Sequence, residues 1–143
     1  ICTGVTIADR AMISAGVIFT NDRYPRACEG DGLAPSGPTE ETLATKVGAG
    51  VTIGARAVIG PGIEIGDYAM IGMGAVVVHN VPPHALVYGS PARIHGWVCA
   101  CGYPVLEEPW IGNEIEGVCG KCGRELRARR REVETEILQE RKF

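Results

Sequence analysis

VGAGVTIGARAVIGPGIEIGDYAMIGMGAVVVHNVP, residues 47–82, repeats itself every six residues. Divided into hexads it reads VGAGVT, IGARAV, IGPGIE, IGDYAM, IGMGAV and VVHNVP. The first position is always Val or Ile, the second is Gly in the first five hexads, and the fifth is Val, Ala or Ile. A fixed short period marks a stacked solenoid, and a period of six points to an all-β fold, a parallel β-helix. In an extended chain, residues two apart share a face. Position five of one hexad and position one of the next therefore point the same way, pairing Val51 with Ile53, Ala57 with Ile59, Ile63 with Ile65, and Ala69 with Ile71. Both are expected to face inward. Gly at position two, and again at position four in Gly50, Gly62 and Gly74, is expected to turn the corners with positive φ. Three hexads make one triangular coil, and coils stack as parallel strands about 4.8 Å apart.

Outward from this array the register continues in both directions. ICTGVT, IADRAM and ISAGVI at residues 1–18 form one more coil, with Phe19 still in phase. A coil that starts inside its own hexad leaves an apolar rung open, so further coils upstream of Ile1 are expected. Asn21 to Lys46 breaks the phase, because the step from Phe19 to Val47 is not a multiple of six. Its middle, CEGDGLAPSGPTEE, reads as a loop thrown out from a corner. Its opening, Asn21-Asp22-Arg23-Tyr24-Pro25-Arg26, is polar and specific enough to expect a functional role.

After the array, Val81-Pro82-Pro83 ends the hexads, since prolines supply no ladder N–H. A short strand near Leu86 to Tyr88 and a turn at Gly89-Ser90-Pro91 follow. From Val98 the composition changes. Cys99-x-Cys101-Gly and Cys119-x-x-Cys122-Gly make two thiol knuckles that together can supply a tetrahedral, structural Zn²⁺ site. Cys2 and Cys28 look unpartnered. Residues 124–143 are highly charged, with Leu126, Val133, Ile137 and Leu138 spaced as one side of a helix. The arginines at 124, 127 and 129–131 are offset by glutamates, so a solvated helix is expected rather than a nucleic-acid surface. The expected organisation is a prism over 1–97 with an inserted loop at 21–46, a zinc-ribbon-like module over 98–123, and a charged helical tail over 124–143.

A net charge of −3 over 143 residues gives no electrostatic reason for nucleic acid binding by the whole chain. The longest aliphatic run, Ala75 to Val78, is too short to insert across a bilayer, and Ile1 to Val5 does not read as a secretory leader. The cytoplasm is the expected location.

FTNDRYPRA at 19–27, the long loop, IGMGAVVVHNVPPHALVYGSPAR at 71–93 and IHGWVCACG at 94–102 resemble the left-handed β-helix hexapeptide acyltransferases. More narrowly, they are similar to the nucleotide-sugar amino N-acetyltransferases of bacterial surface-polysaccharide synthesis. The resemblance implies left-handed coils, a homotrimer, and acetyl-CoA in a cleft between neighbouring prisms. It also implies a nucleotide-linked amino sugar whose amine reaches the thioester near the inserted loop. Acetyl transfer to an amine needs a neutral amine, a polarised carbonyl and a destination for the proton. Many relatives carry a His at or beside the position of Asp22, and this sequence has none there. Asn21 is therefore expected to hold the amine by its side-chain carbonyl, while Asp22 orients it or accepts the proton directly or through water. The departing thiolate is the other acceptor.

By the same resemblance, Tyr24 and Arg26 are placed with the substrate. Ala55 and Met73 line the pantetheine arm, Val78 and His79 lie near the nucleotide end, and Arg93 meets a phosphate. Met73 and His79 depart from the small residue and the Thr-Lys pair usual at those places. His79-x4-His84 has the spacing of two zinc ligands in hexapeptide carbonic anhydrases, but a third His from the prism body is missing. Two further readings stay open: a non-catalytic hexapeptide scaffold whose zinc ribbon recruits a partner, and an O-acetyltransferase.

Overall fold

Each hexad folds into a strand of two or three residues followed by a corner, and the strands stack into a three-sided prism. The computed structural model describes residues 1–107 and 114–129. The first coil holds β1 (Val5–Ile7), β2 (Met12–Ile13) and β3 (Ile18–Phe19). The insertion carries a small hairpin of β4 (Cys28–Glu29) and β5 (Gly32–Leu33). The second and third coils hold β6 (Thr45–Val47), β7 (Thr52–Ile53), β8 (Val58–Ile59), β9 (Glu64–Ile65), β10 (Met70–Ile71) and β11 (Val76–Val77). Beyond them run β12 (Ala85–Gly89), β13 (Ala92–Val98), β14 (Pro104–Leu106), β15 (Glu114–Val118) and β16 (Glu125–Arg129).

The three faces are β1-β6-β9, β2-β7-β10 and β3-β8-β11, all parallel. Thr52 pairs with Met70 and Val58 with Val76, so each coil advances the chain by three hexads. Between the first coil and the second the step is longer: Met12 pairs with Thr52, and Ile18 with Val58. The surplus chain leaves and returns without disturbing the register of any face. The second face does not end with the hexads. It continues through β12, β13 and β14, so β13 carries the sheet of the prism into the cysteine module without a break.

Inward-facing positions one and five form the core as the period requires. Val51, Ile53, Ala57, Ile59, Ile65, Ala69, Ile71, Ala75 and Val77 are at most 1% exposed. In the first coil Ile1 and Ile7 are exposed, whereas Val5, Ile13 and Val17 are half-buried against the same core.

Glycine divides its two roles differently from the sequence expectation. Position four takes the left-handed conformation, with φ of 65° at Gly50 and 67° at Gly74, and Arg10, Arg56 and Tyr68 adopt it too at 59–62°. Position two does not. Gly54 is required there for space: a Cβ on it would lie 2.8 Å from the Gly72 carbonyl carbon and 2.9 Å from Ile71 O in the coil above. In the first coil the same position is held by Ala8 and Ser14, so the requirement is set coil by coil.

The helical tail is corrected over its described part. Glu125–Arg129 is a strand, paired antiparallel with Glu114–Val118 along its whole length. Leu126 is buried while Glu125 and Arg127 are exposed, an alternation that suits a strand over a core and not a helix face. Arg127 bridges Glu116 across the ladder at 2.9 Å. The rest of the expected tail, 130–143, lies outside the described residues. Among the described residues no helix is long and apolar enough to cross a membrane.

Candidate functional site

The insertion departs from the corner between the third face and the first. Phe19, Ile59 and Val77 are in register, so Asn21, Pro61 and His79 occupy the same place at that corner in successive coils. Two coil steps, about 10 Å, separate Asn21 from His79. Val78, one residue earlier, is 46% exposed on top of Gly60. The sequence-expected catalytic pair and the expected nucleotide-end pair thus line one edge of the prism.

The returning loop closes a cleft of about 230 Å³ beside this edge, lined by Thr3, Asn21, Asp22 and Arg26 on one side and by segment 34–39 with Thr42 on the other. Asn21 is fixed at both ends: its carbonyl accepts from Leu43 N at 2.8 Å, and its Nδ2 donates to Thr3 O at 3.3 Å. That bond leaves Oδ1 with no protein donor among the described residues. Asp22 Oδ1 accepts from Tyr24 N at 2.8 Å, an Asx turn that starts the loop. Asp22 also bridges Thr42, which pins the loop's exit to its entry.

Tyr24 and Arg26 part company in the structure. Arg26 lines the cleft but is held by Glu41 at 2.7 Å and Glu29 at 3.4 Å, and its Nη1 also donates to Tyr24 O. The hydrogen bond that the Arg26 guanidinium donates to Glu41 raises it above its ordinary pKa. It clamps the loop from within. Tyr24 is 62% exposed and does not line the cleft. Arg26→Ala is expected to speed proteolytic cutting within 27–40 while the prism's melting stays unchanged, as limited digestion followed by mass spectrometry would show.

Ala55 and Met73 stack on a different corner, between the second and third faces, with Gly74 N donating to Ala55 O at 2.9 Å. Met73 is 82% exposed there. Arg93 lies on β13, where its Nη1 donates to the carbonyl of Ala92. Within one chain, then, Ala55 and Met73 are separated from Asn21 by the width of the third face.

The three histidines are held apart in role. His84 sits at φ 63°, stacks on Tyr68 with centroids 5.2 Å apart, and bonds Val98 O through Nδ1 at 2.9 Å. His95 stacks flat on Tyr88 at 3.6 Å. Among the described residues the only cluster of three or more ligating side chains is cysteine, and neither His79 nor His84 belongs to it.

That cluster is Cys99, Cys101, Cys119 and Cys122, whose sulfurs all lie within 4.8 Å of one another. Each knuckle is the turn of a hairpin, β13–β14 or β15–β16, and Gly102 and Gly123 turn them at φ 80° and 74°. The Cys122 and Lys121 backbone N–H groups, helped by the neighbouring thiols, bring Cys119 down to about 6 despite its burial. At Cys99 the Cys101 N–H also pulls downward, but burial and three neighbouring thiols prevail and push it up to about 11. The Sγ···Sγ separations of 3.4 and 3.6 Å exceed a disulfide bond of about 2.05 Å and approach the ~3.8 Å edge of a tetrahedron with ~2.3 Å Zn–S bonds. The four residues fit Zn²⁺.

Sequence reasoning missed the far wall of the cleft, residues 34–39, because Pro, Ser and Gly there carry no local pattern of contact. It also missed the Tyr68–His84 stack, formed between corners that only the coil register brings together.

Residues 44–79 match the sequence family described as bacterial transferase hexapeptide (six repeats). Over 77 residues the chain is 41% identical to dTDP-3-amino-3,6-dideoxy-α-D-galactopyranose 3-N-acetyltransferase of Aneurinibacillus thermoaerophilus, covering 54% of this chain and 38% of that protein. The chain therefore spans well under half the length of that curated relative. Among solved structures it is similar to a galactoside acetyltransferase in complex with coenzyme A, with 29% identity, a TM-score of 0.51, and 63% of this chain and 43% of that one covered. A maltose O-acetyltransferase from Clostridium difficile 630 gives 31% identity and a TM-score of 0.52 over 63% and 46% of the two chains. The three-hexad coil and the inward Val and Ile make the prism a hexapeptide-repeat parallel β-helix, and its residues 44–79 are similar to the bacterial transferase hexapeptide repeats.

Proposed function

We propose that the chain forms the catalytic prism of a CoA-dependent N-acetyltransferase that moves acetyl from acetyl-CoA to the amine of a nucleotide-linked amino sugar. The observation that carries the reading is Asn21: it lines the loop cleft, and its Nδ2 is committed to Thr3 O, which leaves Oδ1 for a ligand. An amide oxygen in that state accepts an N–H from a neutral amine and points the lone pair at a thioester carbonyl. Asp22, its carboxylate spent in part on Tyr24 N, is the carboxylate among the residues that line the cleft and takes the proton, directly or through water. The similarity to an N-acetyltransferase of a dTDP-linked 3-amino sugar supports the same acceptor class, a thymidine-linked amino sugar. In this reading the reaction serves surface-polysaccharide synthesis in the cytoplasm.

In this reading the molecule works as a trimer. Ala55 and Met73 lie one face-width from Asn21 in the same chain, so a cofactor arm reaching both is served by a cleft between two prisms. Val78, His79 and Arg93 then lie toward its nucleotide end, and Tyr24 and Arg26 toward the sugar. The cysteine cluster holds a structural Zn²⁺, with no open position for chemistry.

The test is mass spectrometry of dTDP-linked 3-amino and 4-amino sugars after incubation with acetyl-CoA. An acetyl mass gain on one of them is expected, and Asn21→Ala is expected to lower turnover at least tenfold with an unchanged melting temperature. A folded protein that binds acetyl-CoA but gives no product with any amino sugar would defeat the acceptor assignment. One that binds none would defeat the enzyme.

A further inference from the structure

The two halves of the cysteine module are attached to the molecule by different means. The first half, β13–β14, is the outer edge of the prism's second sheet and is carried by its ladder. Val98 and His84 exchange further bonds beside it: Val98 N donates to His84 O at 2.8 Å, and the His84 ring meets Val98 O. This half needs no metal to stay in place.

The second half, β15–β16, makes a sheet of its own, and among the described residues no other strand pairs with it. A lone two-stranded hairpin is marginally stable in water. Among the described residues two contacts join it to the rest. One is apolar: Ile115 and Leu126 are 2% and 8% exposed and join the prism core, with Val105 and Leu106 of β14 packed against them. Gly117 brings the strands so close that an added Cβ would lie 2.6 Å from Val105 Cγ1.

The other connection is the sulfur cluster. Both short separations, Cys99 to Cys122 and Cys101 to Cys119, run between the hairpins and not within one. Four sulfurs within 4.8 Å of one another, two from each hairpin and with no bond between them, are spaced as the ligands of one tetrahedral metal ion that would span both hairpins. Zn²⁺ binding sends the thiol protons to solvent and leaves a site of net negative charge, beside Lys121 and Arg124 in the chain.

We propose that Zn²⁺ at Cys99, Cys101, Cys119 and Cys122 is a latch that docks the β15–β16 hairpin onto the end of the prism, while the hexad coils stand without it. The inference rests on the zinc reading above and is independent of the acetyl-transfer reading. Releasing the latch uncovers Val105 and Leu106 and leaves the hexad array intact.

The experiment is zinc analysis of the native, reduced protein, followed by hydrogen exchange before and after chelation. One zinc per chain is expected. Removal is expected to lower protection over 114–129 at least tenfold and to leave 47–81 unchanged, with protection regained when Zn²⁺ is returned. Cys122→Ser, at an exposed position, is expected to reproduce the chelated pattern. Absence of zinc, or recovery of the four cysteines as two disulfides, would overturn the zinc reading itself. Zinc that leaves without changing exchange at 114–129 would overturn the latch alone. Loss of protection across 47–81 as well would overturn it too, because the metal would then be holding the whole fold.

Discussion

Ile65→Ala is expected to destabilise the protein by about 3 kcal/mol, while Glu64→Ala, its neighbour on the same strand, changes stability by no more than about 0.5 kcal/mol. Both residues belong to β9. Ile65 is 1% exposed, pairs with Val47 of the coil below and bridges Val81 above, so truncation empties a site that three coils enclose. Backbone ladders on every face hold the coils at fixed spacing, and the cavity cannot close by collapse. Glu64 points outward and is exposed. Urea titration of the two variants decides the winding phase of the coil. Equal losses would mean that the faces are assigned the wrong way round.

Trp97→Ala is expected to cost more, about 4 kcal/mol, with Trp97→Phe recovering a large part of it. Trp97 is fully buried at the point where β13 pairs with Ala85 of β12 on one side and Leu106 of β14 on the other. It is the largest side chain in the core, in a cluster that also takes in Ile115 and Leu126 of the cysteine module. Its loss is expected to split one cooperative urea transition into two, read by circular dichroism alongside exchange protection over 97–107. A single, merely shifted transition would show that the sheet ladder alone couples the two parts.

The hexad array was readable because its cause is local. Every sixth residue faces the same environment, so Ile53, Ile59, Ile65 and Ile71 announce the core without knowledge of their partners. The glycines were readable in place but not in reason. At position four the backbone itself demands positive φ, whereas at position two the demand comes from the coil above, which a linear reading does not contain. The tail was misread for a related cause. Leu126 fits a helical spacing with residues further on, but its ladder partner is Gly117, and the core it joins with Ile115 is built from other strands. The thiol knuckles were legible because ligand chemistry fixes their spacing.

In the candidate site, Asn21 and Asp22 stood out as a polar break in an apolar rhythm, and the structure puts both in the cleft. Arg26 stood out equally, yet its guanidinium is engaged by Glu41 and Glu29. Nothing in the order of residues distinguishes a cation aimed at a ligand from one aimed at a carboxylate on the far side of the same loop. The relation of Ala55 and Met73 to Asn21 was hidden as well, since it depends on which corner each hexad reaches.

The inserted segment leaves and rejoins the prism at one corner, its whole length absorbed there and every later strand still in register. Closing a loop costs little more as it lengthens, about 0.6 kcal/mol for each doubling. The wall of the cleft can therefore be exchanged, lengthened or shortened at small thermodynamic expense while the stacked coils keep their spacing. The shape of the cleft and the stability of the scaffold are thus nearly orthogonal design variables in this molecule, and a transplanted loop is a practical way to remake the cleft without unsettling the coils.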